Sequence, residues 1–122
     1  MNIAWQFSND KPIYAQIVSQ VKQLIVSGNL KAGDKMPTVR ELASEAEVNP
    51  NTMQRALSEL ENEGLLSSHR VKGRFVTEDE KLIKTMKDEI ADKKVSEFLK
   101  SMKMLGYTKE ETEDLIKSFK ED

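Results

Sequence analysis

The chain has 122 residues, of which 38% are hydrophobic and 33% are charged, so it can bury a small core while exposing much helix surface. It contains no cysteine, which excludes disulfides and thiolate metal sites, and no apolar run approaches the roughly 20 residues that span a membrane. Residues 1–10 lack the basic and apolar regions of a signal peptide, so we expect a cytoplasmic protein.

The net charge of −2 is unevenly distributed along the chain. Residues 1–77 carry nine basic and eight acidic side chains, whereas residues 78–122 carry ten basic and thirteen acidic ones. Arg70, Lys72 and Arg74 lie close together with no acid among them. This distribution permits a polyanionic partner for the first segment but does not establish one.

The N-terminal residues predict an extended segment followed by a helix. Ile3, Trp5 and Phe7 alternate with polar or small residues, which indicates one buried face. Pro12 suits the first turn of a helix, and apolar residues then recur at spacings of three and four. This stripe predicts a first helix over about residues 12–28.

A pair of helices joined by a short turn comes next. Thr38 and Glu41 have the spacing of a capping box, which predicts a second helix over about residues 38–46. Asn49, a good N-cap followed by proline, predicts a third helix over about residues 50–63. Two helices separated by about three residues are typical of a helix-turn-helix.

A β-hairpin is predicted after these helices. Residues 65–68 and 74–77 are apolar enough for two short strands, and the loop between them contains Gly73 and is basic. The predicted fold is therefore mostly α with a small β-hairpin. It comprises a winged helix-turn-helix over residues 1–77, followed by a helical tail over residues 78–122.

The tail is predicted to be helical up to a glycine break. Residues 78–105 contain no glycine or proline, but their apolar stripe slips by one position near residues 92–94. One bent helix and two helices that meet at an angle both remain open. Thr108 and Glu111 form a second capping-box pattern, which predicts a last helix over about residues 109–120.

The third helix offers a candidate binding face. Once its core positions are removed, Asn51, Gln54 and Arg55 remain outside, and such side chains hydrogen-bond base edges and phosphates. The free amides at the start of the helix also suit a phosphate. A merely solvated helix face is the alternative.

The residue inventory argues against an enzyme. The chain has no cysteine, one histidine and no glycine-rich phosphate loop, so we expect neither a cofactor nor a metal. An unidentified small-molecule effector in a pocket lined by Met86, Met102 and Met104 stays an alternative, although methionine at helical spacing is usually core.

Four stretches within residues 12–77 together resemble the DNA-binding domain of the GntR family: PIYAQI, SGNLKAGDKMPTVRELA, VNPNTMQRAL and ELENEGLL. The short helical tail with its GYTKEE break resembles the YtrA subfamily. The resemblance implies a bacterial transcription regulator that binds double-stranded DNA through a winged helix-turn-helix. It further implies that the protein is a homodimer that represses transcription from a palindromic operator. Genes that encode regulators of this subfamily commonly accompany transporter genes.

The resemblance also implies which residues contact DNA. They lie at the start of the second helix, at the start of the third helix and in the wing: Arg40, Asn49, Asn51, Thr52, Gln54, Arg55, His69, Arg70, Lys72 and Arg74. For Arg40, a salt bridge with Glu41 or Glu45 is the alternative. The main rival function is a winged-helix adaptor that binds protein rather than DNA.

The wing departs from the family pattern R-G-K-G-T-F-V at two positions. Val71 replaces a glycine that lets the wing tip approach DNA closely, and Arg74 replaces a small hydroxyl residue. We therefore expect Lys72 and Arg74 to contact phosphates, in place of a deep insertion of the wing.

The tail is too small to enclose a core of its own, so its apolar face must dock on the winged domain or on a second copy of the chain. We expect a second copy, because twofold dimers match palindromic operators. The side chains predicted to form that interface share the apolar positions of the tail helices: Leu82, Met86, Ile90, Val95, Phe98, Leu99, Met102, Leu105, Leu115, Ile116 and Phe119.

Overall fold

The computed structural model describes residues 3–121, so the outermost residues of the two predicted segments, 1, 2 and 122, lie outside the described residues. Its elements are α1 (Ile13–Val26), α2 (Val39–Ala46), α3 (Pro50–Asn62), β1 (Leu66–His69), β2 (Gly73–Val76), α4 (Glu80–Met104) and α5 (Lys109–Ser118). The predicted fold class, mostly α with one hairpin, is confirmed.

The two helices of the predicted helix-turn-helix begin where their caps are. The N–H of Glu41 donates to the Thr38 hydroxyl at 3.2 Å, and the N–H of Thr38 donates to the Glu41 carboxylate at 3.0 Å. At α3, the Asn49 side-chain oxygen accepts from the N–H of Asn51 at 2.7 Å. These bonds satisfy amides that a helix start otherwise leaves free, which fixes both starts at the sequence positions predicted.

The turn between α2 and α3 includes a strained residue. Among the described residues, Glu47 is the one non-glycine residue with a positive φ, at 56°. This left-handed conformation lets its N–H donate to carbonyls of the last turn of α2. A side chain with a Cβ adopts it at a cost of roughly 1 kcal/mol.

The core of the first compact unit, which ends at Lys87, lies between the three N-terminal helices and the hairpin. Its buried side chains come from α1, α2, α3 and the hairpin, including Ile17, Leu42, Leu57 and Val76. Side chains from the first two turns of α4 pack against this core. The division between the two compact units falls after Lys87, within the residues of α4.

The hairpin is anchored to the segment that precedes α2. Strand β1 pairs antiparallel with β2, so that Leu66 faces Val76 across the hairpin. On the other edge of β2, the N–H of Val76 donates to Asp34 at 2.8 Å and the N–H of Met36 donates to Arg74 at 2.8 Å. These bonds cover an edge that would otherwise be free, and they hold the base of the hairpin against the helical core.

Glutamine side chains hold the N-terminal extended segment, a role that the alternating pattern does not predict. The N–H of Gln6 donates to the Gln20 side chain at 3.1 Å, and the N–H of Ser8 donates to that of Gln16 at 2.8 Å. Gln16 and Gln20 lie one turn apart on α1, so their amides take the place of a neighbouring strand. Trp5 is half-buried against the core, as its alternation predicts.

The second compact unit, residues 88–121, consists of the rest of α4 and α5. Helix α4 is continuous from Glu80 to Met104, so the alternative of two helices is excluded. The capping box of Thr108 and Glu111 is present at the start of α5. No helix within residues 3–121 is long and apolar enough to cross a membrane.

The strain at Glu47 can be tested by substitution. We expect Glu47→Gly to raise the free energy of unfolding by about 1 kcal/mol, because glycine adopts a positive φ without a Cβ clash. Glu45→Gly is the matched control; it places the same change inside α2 and should lower the free energy of unfolding by about 1 kcal/mol. Urea unfolding followed by circular dichroism measures both. A loss of stability in both variants would contradict the proposed strain.

Candidate nucleic-acid interface

The outward face of α3 is polar because its other face is buried. Met53, Leu57 and Leu60 are buried on the inner face. Asn51, Gln54 and Arg55, the candidate base- and phosphate-contacting residues, are exposed on the outer face. The placement follows the helical period of the sequence, and it leaves hydrogen-bonding groups available to a partner.

At the start of α3, hydrogen bonds within the helix restrict which side-chain atoms of Asn49 and Gln54 are available to contact DNA. The side-chain oxygen of Asn49 accepts from the N–H of Asn51, so a DNA contact from Asn49 would have to use its side-chain amide nitrogen or its backbone. Thr52 is half-buried in the first turn. Gln54 donates to the hydroxyl of Ser58 at 3.0 Å, so its amide is already oriented along the helix.

Arg55 is oriented by an aromatic ring from another helix. Its guanidinium carbon lies 3.6 Å from the centroid of the Tyr14 ring, which is in the first turn of α1. A cation–π contact of this kind contributes about 0.5–1 kcal/mol at an exposed site. The sequence does not predict this contact, because residues 41 positions apart cannot be paired from their spacing.

Arg40, the second residue of α2, is exposed at the surface. Its predicted alternative was a salt bridge with Glu41 or Glu45, and no such ion pair forms within residues 3–121. The carboxylate of Glu41 instead accepts from the N–H of Thr38, and this bond lowers the pKa of Glu41 from its ordinary value. Arg40 therefore keeps a free guanidinium beside the start of α2.

The wing presents its basic residues at the turn between β1 and β2. Arg70 and Lys72 are exposed there, and Val71 between them exposes 96% of its surface. The ring of His69 packs edge-on against Phe75, with centroids 5.0 Å apart. His69 is therefore held at the surface of the hairpin by an aromatic contact, next to the two basic side chains.

Arg74 differs from the other basic wing residues. Its Nε donates to the carboxylate of Glu61 near the end of α3, and it is only 19% exposed. Arg74 is close to Arg70 and Lys72 along the chain, and their shared charge predicts the same phosphate contact for all three. Only the fold brings Glu61 beside Arg74, because a helix end and a strand meet there.

Most apolar residues of the predicted dimer interface fall into two groups, and the remaining three, Ile90, Leu99 and Met102, are half-buried in the second unit. Leu82 and Met86 are half-buried against the core of the first unit. In the second unit, Phe119 exposes 74% and Ile116 58% of its surface. The other large apolar side chains of that unit exposed to solvent are Val95, Phe98, Met104, Leu105, Tyr107 and Leu115.

Within the described residues, no group of three or more His, Asp or Glu side chains is placed to hold a metal ion. Of the methionines considered for an effector pocket, Met104 exposes 89% of its surface and Met102 is half-buried. Met86 packs on the core of the first unit.

A sequence profile described as "Bacterial regulatory proteins, gntR family" matches residues 13–76. The uncharacterized HTH-type transcriptional regulator YhcF of Bacillus subtilis is 43% identical over 116 residues, covering 95% of this chain and 96% of that protein. The HTH-type transcriptional repressor YtrA of the same organism is 47% identical over 70 residues, covering 57% of this chain and 54% of that protein.

Solved structures show the same fold. A GntR family transcriptional regulator from Listeria monocytogenes has a TM-score of 0.86 and 40% identity, covering 93% of this chain and 100% of that chain. The DNA-binding domain of AraR in complex with operator ORX1 has a TM-score of 0.57 and 28% identity, covering 63% of this chain and 99% of that chain.

The contact between Tyr14 and Arg55 gives a testable consequence. If Arg55 contacts DNA, Tyr14→Leu should weaken binding about three- to fivefold, because the guanidinium loses the ring that orients it. Tyr14→Phe keeps the ring and is the matched control, which should bind as the wild type does. Fluorescence anisotropy with a selected DNA site measures both. Equal losses in the two variants would assign the effect to the hydroxyl group instead.

Proposed function

The chain belongs to the GntR family of bacterial regulatory proteins and is a DNA-binding transcriptional regulator, and we propose that it acts as a homodimeric repressor on a palindromic operator. The prediction that it is not an enzyme is confirmed by the family and by its relatives. Repression is proposed because YtrA, which resembles this chain over 70 residues, is a repressor. Its site of action is then the cytoplasm, where bacterial operators are.

One observation carries the DNA-binding part of the proposal: the exposed polar face of α3 begins at a capped helix start. An α-helix fits the major groove, where each base pair presents a distinct set of donors and acceptors. Asn51, Gln54 and Arg55 supply donors and acceptors for base edges, and the helix start supplies amides for a phosphate. We assign α3 to the major groove on this basis.

Basic side chains outside α3 support the same partner. Arg40, Arg70 and Lys72 are exposed in the same compact unit, and none takes part in an ion pair within the described part of the chain. Unpaired basic groups suit phosphates, since binding releases the counterions of the duplex. This feature favours DNA over the protein partner of the adaptor hypothesis, and we propose on this basis that the wing contacts the DNA backbone.

The dimer is proposed from the apolar side chains of the tail. In the second unit, the one buried side chain among the described residues is Thr112, whereas Phe98, Ile116 and Phe119 are exposed. Large apolar groups gathered on a small helical unit are costly to leave in water, and a second copy of the same unit would bury them by twofold symmetry. Such a dimer presents two α3 helices to two half-sites.

The regulated genes are proposed from the resemblance of the tail to the YtrA subfamily. Genes of this subfamily commonly accompany transporters, so we place the operator beside a transporter operon. Selection of bound fragments from genomic DNA identifies the operator, and the spacing of its half-sites reports the geometry of the dimer.

If Arg40 and Arg55 contact DNA, truncating either side chain should cause a large loss of DNA affinity. Arg40→Ala and Arg55→Ala should each cost about 1–3 kcal/mol of binding free energy if the side chain contacts a base bidentately. The affinity of the wild type should fall with salt at a log–log slope near −6, as expected for about six to eight neutralised phosphates. Both quantities are measured by anisotropy titrations from low to moderate salt.

Lys93→Ala is the matched control for charge, since Lys93 is exposed on α4 in the second unit. It should leave the affinity and the salt slope unchanged. Unchanged affinity in the two arginine variants would remove these residues from the interface, and a wild type that binds no duplex in dilute buffer would end the proposal.

The proposed dimer should dissociate into monomers when a charged residue replaces an apolar residue of its interface. Phe98→Glu and Ile116→Glu should shift the protein from dimer to monomer, because each would bury an unpaired carboxylate in an apolar interface. Val71→Glu is the matched control: it adds the same charge at an exposed apolar residue of the wing, in the first unit, and should stay dimeric. Sedimentation velocity gives the mass, and circular dichroism checks folding. A wild type that sediments as a monomer would contradict the proposed dimer.

A further inference from the structure

One carboxylate, that of Glu61, connects the end of α3 to both strands of the wing. The carboxylate of Glu61 accepts from the Nε of Arg74 on β2 and from the hydroxyl of Ser68 on β1, the latter at 3.4 Å. The side chains of Glu61 and Arg74 are 27% and 19% exposed. A partly covered pair of this kind is screened less by salt than a surface pair.

The position of this pair matters for the wing. Backbone bonds to Asp34 and Met36 fix β2 to the segment before α2. A two-stranded hairpin is marginally stable by itself, so its angle to the rest of the domain depends on such attachments. The Glu61 carboxylate adds an attachment to α3, the helix assigned to the major groove.

Arg74 is poorly placed to serve DNA as Arg70 and Lys72 do. Its side chain is largely covered and its Nε already donates a hydrogen bond to a carboxylate, whereas the turn of the wing is exposed. Removing Arg74 from this pair to bind a phosphate would leave Glu61 as an unpaired, partly covered carboxylate beside a polyanion.

We propose that Glu61 is a positioning residue for DNA binding: its carboxylate holds Arg74 and Ser68 and thereby sets the angle of the wing to α3. Arg74 acts through this pair instead of through the phosphate contact predicted from its sequence neighbours. The inference rests on the proposed function, since the wing must meet DNA for its angle to matter.

The proposal predicts that Glu61 strengthens DNA binding, which is the opposite of what its negative charge alone would do. A carboxylate near a duplex repels it, so removing one should tighten binding if Glu61 had no other role. A positioning role requires that Glu61→Ala weaken binding, because the wing loses its fixed angle. Glu59→Ala removes the same charge from the exposed side of the same helix and is the matched control.

The test is a double-mutant cycle on operator DNA. Glu61→Ala and Arg74→Ala should each weaken binding about five- to tenfold, and the double variant should lose no more than either one. The salt slope of Arg74→Ala should equal that of the wild type, whereas a lost phosphate contact in both subunits would reduce it by about 2. Glu59→Ala should bind as tightly as the wild type or more tightly.

A charge reversal separates the two roles further. The variant with Glu61→Arg and Arg74→Glu rebuilds the pair with opposite polarity, so it should recover most of the lost affinity. If Arg74 contacted phosphate, the glutamate in its place would weaken binding more than Arg74→Ala does. Thermal unfolding of each variant identifies any that fail to fold.

Hydrogen exchange of the β1 and β2 amides in the DNA-free protein gives an independent readout. It should be faster in Glu61→Ala than in Glu59→Ala, because the hairpin loses its attachment to α3. Tighter binding by Glu61→Ala, additive losses in the cycle or unchanged hairpin exchange would each overturn the proposal. A wild type that binds no DNA while the exchange difference persists would overturn the proposed function and leave the Glu61–Arg74 attachment standing.

Discussion

Burial of one face of α3 is the constraint on which the rest of this protein depends. Met53, Leu57 and Leu60 lie on that face and are buried in the core. Burial of each such side chain stabilises the fold by about 1.5–3 kcal/mol, which fixes the rotation of the helix about its own axis. The opposite face is therefore fixed as well, and it carries the polar groups assigned to DNA.

The residues around α3 refine this arrangement through contacts of moderate strength. The Asn49 cap sets where the helix starts, and Tyr14 holds the guanidinium of Arg55 from another helix. Glu61, at the far end of α3, is paired with Arg74 of the wing. Each contact limits the positions that a DNA-facing side chain can take, and such preorganisation reduces the entropy lost on binding.

The apolar side chains of the tail are more exposed than those of the first unit. Its helix α4 begins on the core of the first unit and continues into a second unit whose apolar side chains are exposed. The apolar stripe slips by one position near residues 92–94, a pattern that fits either one bent helix or two helices. In the structure this slip falls within the continuous α4. The change of face fits a helix that packs on one surface at its start and, as we propose, on another copy further along.

The sequence by itself determined the elements of this protein and the outward face of α3. Local signals suffice for both: the capping boxes at Thr38 and Thr108 begin helices where predicted, and the 3.6-residue period separates buried from exposed positions. The strands lie one residue from their predicted positions. At β1, the N–H of Leu65 bonds back to Leu60, so residue 65 belongs to the turn that follows α3.

Only the tertiary structure decided which polar side chains are paired with one another. Gln16 and Gln20 bind the N-terminal segment, Tyr14 lies under Arg55, and Glu61 pairs with Arg74. These partners are distant in sequence, and the identity of a charged or aromatic residue does not indicate which other residue it will contact. Periodicity assigns a residue to a face, whereas the packing of the elements determines which residue lies opposite it.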